Sequence, residues 1–462
     1  MIAEMIKKAA DGNRGRLAYR VGGESLTYGE LWDCAERAAA LLRRQGSGPV
    51  IVYGGKDLYM PAAILACLIA RRAYVPVDRF MPERRVRSII DKSGATLLIG
   101  NARFGGIECS SFDGLGKYAD RETVPQDGSG AYIIFTSGTT GEPKGVPISR
   151  ANLENFVLWL NGHIPKNKDR AVVLNQASFS FDLSVADLYY AFTNGYTLTA
   201  LEHGLEYTEI YRIICGHRVN LAVMTPTFMK LCLVDPDFCA ENYPDLECVY
   251  FCGETLDPRL AVRIRDRFPD ITVLNAYGPT EATSAVSLAV ISGDFREKPI
   301  LPVGRVGEFA ADVSVEDGEI VLRGASVFGG YIGGASGGWA CENGVNCYRT
   351  GDRGYIEDGY LYCTGRADMQ IKYKGYRIEL GDIEENIASL GGVAECAVVP
   401  KYSADGSVKS LAAFVVPSGE CGDIRGKLRA ILPEYMIPKT VTFIERMPVT
   451  DNGKTDRKAL MK

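Results

Sequence analysis

Residues 131 to 147, AYIIFTSGTTGEPKGVP, begin as a short apolar run and end in a cluster of hydroxyls, glycines and one lysine. The run Ala131 to Phe135 has the length and β-branching of a buried strand, so the loop from Thr136 leaves a sheet with its backbone N–H groups unpaired. Donors of that kind require an anion. Gly138, Gly141 and Gly145 permit close approach, Thr136, Ser137, Thr139 and Thr140 add hydroxyl donors, and Lys144 supplies a point charge suited to phosphate oxygens. Pro143 stiffens the loop. Lys144 is followed by Gly145 rather than by a hydroxyl residue opening a helix, so the Walker A spacing is not met and a P-loop ATPase or kinase is disfavoured. A lone Gly-Thr cluster is commonly only a polar turn, and the rest of the chain must distinguish the two.

Four further stretches do so. NAYGPTEAT, Asn275 to Thr283, follows a predicted strand. Its Tyr277 offers a π face, Thr280 a hydroxyl, and Glu281 a hard oxygen ligand. YRTGDRG, Tyr348 to Gly354, contains Asp352, an acceptor of the type that binds ribose hydroxyls. GRADMQIKYKGYRIELGDIE runs from Gly365 to Glu384, and NGKTDRKAL, Asn452 to Leu460, carries Lys454 near the end of the chain.

These five motifs, in this order from about Leu26 to Leu460, resemble the adenylate-forming superfamily: acyl-CoA synthetases, luciferases and the adenylation domains of peptide synthetases. The phosphate-loop pattern [ST]-S-G-[ST]-T-G-x-P-K-G is specific to it. The resemblance implies an α/β fold: a large lobe (1–367) of doubly wound, mostly parallel sheets with a barrel-like subdomain, and a small mobile α+β lobe (368–462) hinged at Asp368. It implies ATP and Mg²⁺ as cofactors, with Lys454, Thr280 and Lys144 catalytic. The nucleotide site would comprise the phosphate loop with Gly253, Glu254, Asn275, Ala276, Tyr277, Gly278, Thr280, Asp352, Arg366 and Lys454, and the metal would sit on Glu281.

Composition and pattern are consistent with this picture. A chain of 462 residues is too long for one ordinary core. A formal net charge of −5, with no basic stripe, argues against nucleic acid. The thirteen cysteines form no C-x-x-C pair and read as buried thiols. MIAEMIKKAADGN has no signal-like apolar core, and the longest apolar run, Ala62 to Ala70, is too short to span a bilayer, so a cytoplasmic protein without membrane insertion is expected.

Thr27 and Glu30 form a capping box before an amphipathic helix up to Gly46. Pro61 to Ala70 reads as a helix, Ala73 to Asp78 as a strand, and the next helix is expected to expose Arg84 and Arg85. Leu221 to Thr225, Glu247 to Gly253 and Ile271 to Ala276 read as strands between helices, so ligands are expected at their carboxyl ends. Shorter Gly-rich strands follow from Gly318.

The substrate is read from NQASFSFDLSVADLY, Asn175 to Tyr189. By resemblance, Asp182 binds the α-ammonium of an amino acid, with Leu183, Ala186, Val223, Tyr250, Cys252, Ala276, Ser284 and Ala285 around it. A helix-cap aspartate is the competing explanation. The wall residues are mostly small and uncharged, implying a small amino acid. SFSFDLSVADLY, MTPTFMKLCL, FCGETL and AYGPTEAT most resemble the D-alanine:D-alanyl carrier protein ligases of lipoteichoic acid D-alanylation, where a cysteine matching Cys252 lies against the substrate. Three departures stand out: Ser284 replaces a usual valine, Arg71 a usual glycine, and Leu301 to Gly324 is shortened. Another small amino acid (glycine, serine or L-alanine) in peptide or amide synthesis is the alternative, and a CoA or aryl-acid ligase is disfavoured by Asp182. SLGGVAE, Ser389 to Glu395, lacks a serine for phosphopantetheine, so the thiol is expected from a carrier protein in trans.

Overall fold

Four short runs of largely apolar residues, Val172–Asn175, Leu221–Met224, Cys248–Phe251 and Thr272–Tyr277, form adjacent parallel strands that are almost wholly buried, as central parallel strands must be. They occupy the middle of an eight-stranded sheet. Its two edges are antiparallel: Ser287–Ile291 pairs with Thr272–Tyr277, and Glu24–Thr27 with Leu17–Val21. A six-stranded sheet contains Val50–Gly54, Tyr74–Asp78, Leu97–Gly100 and Gly130–Thr136, again in parallel pairing. The computed structural model describes residues 1–112, 128–138, 142–166, 171–292, 298–334, 337–366, 370–403, 406–449 and 455–461.

Helices cover these sheets for local reasons. Tyr28–Arg44 starts at a reciprocal capping box, with Glu30 N–H donating to Thr27 Oγ1 at 3.2 Å and Thr27 N–H to Glu30 Oε2 at 2.8 Å. Met60–Ile69 and Leu183–Thr193 are apolar almost all round, and their buried faces join one core with residues of both sheets. The later Gly-rich region forms an antiparallel sheet in which Glu319–Arg323 lies between Asp312–Glu316 and Val345–Glu357.

The chain divides into two compact units: Met1–Arg79, Lys92–Ile134 and Gly145–Gly365 form one, and Phe80–Asp91, Phe135–Lys144 and Arg366–Lys462 the other. In the second, helix Leu380–Ala388 packs Ile383 and Ile387 against the antiparallel pair Val393–Tyr402 and Val408–Pro417. Arg84 is exposed as expected, but Arg85 is not. One residue is a 100° turn of a helix, which aims Arg85 inward, where its guanidinium pairs with the fully buried Asp382 at 3.3 Å. Burial raises the Asp382 pKa, and the Arg85 charge opposes that rise.

The Arg71 departure has a local consequence. Helix Met60–Ile69 ends in a Schellman motif, Arg72 N–H donating to Cys67 O at 2.9 Å and Arg71 N–H to Leu68 O at 3.2 Å, with Arg71 at φ +59°. A Cβ in that conformation costs about 1–2 kcal/mol, of which glycine's greater freedom in the unfolded chain returns a part. Arg71→Gly is therefore expected to stabilise the protein by about 0.5–1 kcal/mol, read as a rise in the urea midpoint.

Candidate active site

Parallel register places Val223 beside Tyr250, and Tyr250 beside Leu274. Side chains alternate along a strand, so Val223, Tyr250, Cys252 and Ala276 share one face while Met224, Phe251 and Val273 take the other. The two sets pack into separate apolar clusters. Leu183 and Ala186, from helix Leu183–Thr193, and Ala285 join the cluster of the first face. The expected wall residues Leu183, Ala186, Val223, Tyr250, Cys252, Ala276 and Ala285 thus share one apolar cluster.

Asp182 stands at the N-cap position of that helix, only 8% exposed, yet its side chain makes no capping hydrogen bond. Helix capping therefore does not explain a carboxylate here. Its charge is felt by two buried phenols: burial first, then Cys252 and Asp182, raise the pKa of Tyr250, while burial and then Asp182 raise that of Tyr132. Thr283 and Ser284 are both left-handed, at φ +62° and +68°, a strain held by Thr283 Oγ1 donating to Ser326 O at 2.8 Å. The bend brings Ser284 O within 3.8 Å of Cys252 Sγ. Among the described residues the hydroxyls of Ser284, Tyr250 and Tyr132 are buried without a hydrogen-bond partner. Tyr132 escaped sequence reasoning because, inside an apolar run, it read as one more core residue.

The residues of the first unit expected at the nucleotide include two hydrogen-bonded carboxylates. Tyr277 OH donates to Asp352 Oδ2 at 2.7 Å, and Asp352 N–H donates to Thr350 Oγ1 at 3.0 Å. Glu281, 1% exposed, accepts from Tyr331 OH at 2.6 Å, and burial together with the Glu281 charge drives the Tyr331 pKa far up. Thr280 is buried on the short turn Thr280–Ala282 beside it. Tyr331 was not legible either, since it lies fifty residues from its partner. Glu254 accepts the Thr227 N–H at 2.9 Å, the Asn275 amide donates to Pro302 O at 2.8 Å, and Gly253 is left-handed at φ +89°. Asn275 and Glu254 thus make structural hydrogen bonds of their own.

In the second unit Ser137 Oγ donates to Arg377 O at 2.9 Å and accepts from Glu379 N–H at 3.0 Å, while the Gly138 N–H hydrogen-bonds the Asp382 carboxylate. The Ser137 hydroxyl, read as a phosphate donor, is turned to the backbone of Tyr376–Glu379. A Cβ at Gly138 would strike Glu142 O and crowd the Lys144 stem, so a side chain does not fit there. Thr136 ends its strand, Lys144 opens Lys144–Ser149, and Arg366 ends Tyr360–Arg366. Thr139, Thr140, Gly141, Asp368 and Lys454 lie outside the described residues.

A model of AMP-binding enzymes matches residues 6–332, and one of the AMP-binding enzyme C-terminal domain matches residues 382–454. The chain belongs to the AMP-binding enzyme family. It is 38% identical to a D-alanine–D-alanyl carrier protein ligase of Bacillus licheniformis, covering 99% of this chain and 98% of that protein. Against one from Listeria monocytogenes serotype 4b the identity is 37%, over 96% and 95%. The fold matches the Vibrio cholerae adenylation domain AlmE, solved with glycyl-adenosine-5'-phosphate, at a TM-score of 0.88 and 23% identity, over 100% of this chain and 97% of that one. These matches agree with the acyl-adenylate-forming fold expected from the motifs.

The turn after Tyr277 is closely packed. A Cβ at Gly278 would meet Ala285 Cα at 2.5 Å and Val286 N at 2.9 Å, which are backbone atoms unable to swing aside. Gly278→Ala is expected to weaken AMP binding about tenfold or more, measured by titration calorimetry on the folded variant.

Proposed function

We infer that the protein activates D-alanine with ATP and transfers it as a thioester to the phosphopantetheine thiol of a separate carrier protein, in the cytoplasm. The observation that carries this is Asp182: a carboxylate 8% exposed, not capping its helix, among uncharged pocket walls. A carboxylate at this position can accept a charge-assisted hydrogen bond from the α-ammonium of an amino acid, which an aryl or fatty acid cannot offer. The relatives named D-alanine–D-alanyl carrier protein ligases support the choice of amino acid and acceptor.

Asp182 orients the amino acid so that its carboxylate oxygen faces the α-phosphorus of ATP. That oxygen attacks, the bond to the β-phosphate bridging oxygen breaks, and pyrophosphate leaves. Tyr277 packs on the adenine, Asp352 accepts from the ribose, and Thr280, Lys144 and Lys454 balance charge on the phosphates and substrate carboxylate. Glu281, a buried carboxylate already oriented by Tyr331, suits one ligand position of Mg²⁺, which supplies further charge neutralisation on the phosphates when bound. The carrier thiol then attacks the mixed anhydride, forming the thioester and releasing AMP. Residues 368–462 would turn about Asp368 between the two half-reactions, withdrawing Lys454.

A second amino acid warrants direct comparison. The unpartnered, buried hydroxyls of Ser284 and Tyr250 lose about 1–3 kcal/mol that a hydroxylated substrate would restore, which makes serine the competitor to test.

ATP–pyrophosphate exchange with D-Ala, L-Ala, Gly, D-Ser and L-Ser, and with an aryl and a fatty acid, is expected to favour D-alanine. Preference for an acid lacking an amine would remove the role given to Asp182. Lys454→Ala is expected to lower adenylate formation by about a hundredfold or more while leaving thiol transfer from a preformed adenylate largely intact, checked by single-turnover assays of each half-reaction; equal loss in both would discard the rotation. Cys252→Ala should narrow the D-Ala to L-Ala ratio in the same exchange assay.

A further inference from the structure

Beneath the loop that leads into Asp182 lies a polar cluster that the chemistry above does not use. Lys56 Nζ donates to Asn175 Oδ1 and to Ala177 O, and sits 4.7 Å from the Phe179 ring centroid. The Asn175 amide donates in turn to Asp187 Oδ2 at 2.8 Å and to Ala177 O at 3.2 Å. Asp187, fully buried, is on the helix that Asp182 opens. A second tie holds the same loop, Ser178 Oγ donating to Asp78 Oδ2 at 2.7 Å.

The loop Asn175–Phe181 is therefore fixed at four successive places by groups distant in sequence. One ammonium satisfies a side-chain oxygen and a backbone carbonyl at its start and lies on an aromatic ring two residues later. Asn175 couples that ammonium to a carboxylate on the helix at the loop's far end. The segment between these anchors has no regular secondary structure, so the position of the Asp182 carboxylate depends on them. We propose that Lys56 is a positioning residue for amino-acid recognition, clamping the loop Asn175–Phe181 so that Asp182 is held where it meets the substrate ammonium.

This rests on the reading of Asp182 as the ammonium partner. It differs from a general stability role in what it predicts, because a clamp on one loop affects one substrate and not the other. Burial lowers the pKa of Lys56 and raises that of Asp187, so Asp187 can take up a proton when the lysine is lost.

The test is pyrophosphate exchange with Lys56→Met, Lys56→Arg and Ser178→Ala, each measured for KM of the preferred amino acid and KM of ATP, with the melting temperature recorded. Lys56→Met should raise the amino-acid KM about tenfold with the ATP KM within about twofold of wild type. Lys56→Arg, which keeps the charge and donors, should recover part of that loss, and Ser178→Ala should shift the amino-acid KM about threefold in the same direction. Both KM values rising together, or an unchanged amino-acid KM in folded Lys56→Met, would overturn the clamp. If Lys56→Met does not fold, Ser178→Ala decides: an unchanged amino-acid KM there overturns it equally. Wild-type protein showing no exchange with any amino acid would instead remove the functional reading, and the clamp with it.

Discussion

Parallel pairing of Leu221–Met224, Cys248–Phe251 and Thr272–Tyr277 is the constraint on which the site depends. Because side chains alternate, a register that pairs Val223 with Tyr250 commits every second residue to one face, and a slip by one would move the pocket walls into the opposite core. The helix Leu183–Thr193 packs into the same apolar cluster as the face so chosen. Loops leaving the carboxyl ends of those strands then carry Cys252, Gly253 and the turn Thr280–Ala282 to neighbouring positions.

On that frame the polar groups are arranged by burial. Glu281 and Asp352 each lie almost wholly out of solvent and each accepts a tyrosine hydroxyl, so neither carboxylate is left to orient itself. Asp187 and Asp382 are buried as well, but their neighbours are an asparagine coupled to Lys56 and an arginine, which makes them structural. The Asp182 charge in turn acts on two buried phenols, Tyr132 and Tyr250.

The strained pair Thr283 and Ser284 shows how the pocket gains polarity without gaining charge. Two successive left-handed residues are costly, and here the Thr283 hydroxyl on Ser326 O helps hold them. The result turns a carbonyl toward Cys252 and buries the Ser284 hydroxyl.

Much was legible in the sequence because it is encoded locally. The Thr27–Glu30 capping box, the strand before Thr136, the three strands ending near Val223, Tyr250 and Ala276, and the antiparallel strands after Gly318 are read from periodicity and turn chemistry within a few residues. The ordered motifs were enough to point to the AMP-binding family. What only the tertiary structure decided are relations between residues far apart in the chain: Arg85 buried against Asp382, Tyr331 on Glu281, Lys56 on Asn175 and Ala177. Sequence periodicity shows which side of an element faces inward, but not which distant group waits there. The satisfaction of a buried charge is a matter of three-dimensional neighbours, and so the partners of this site's charged residues emerge only when the chain is folded.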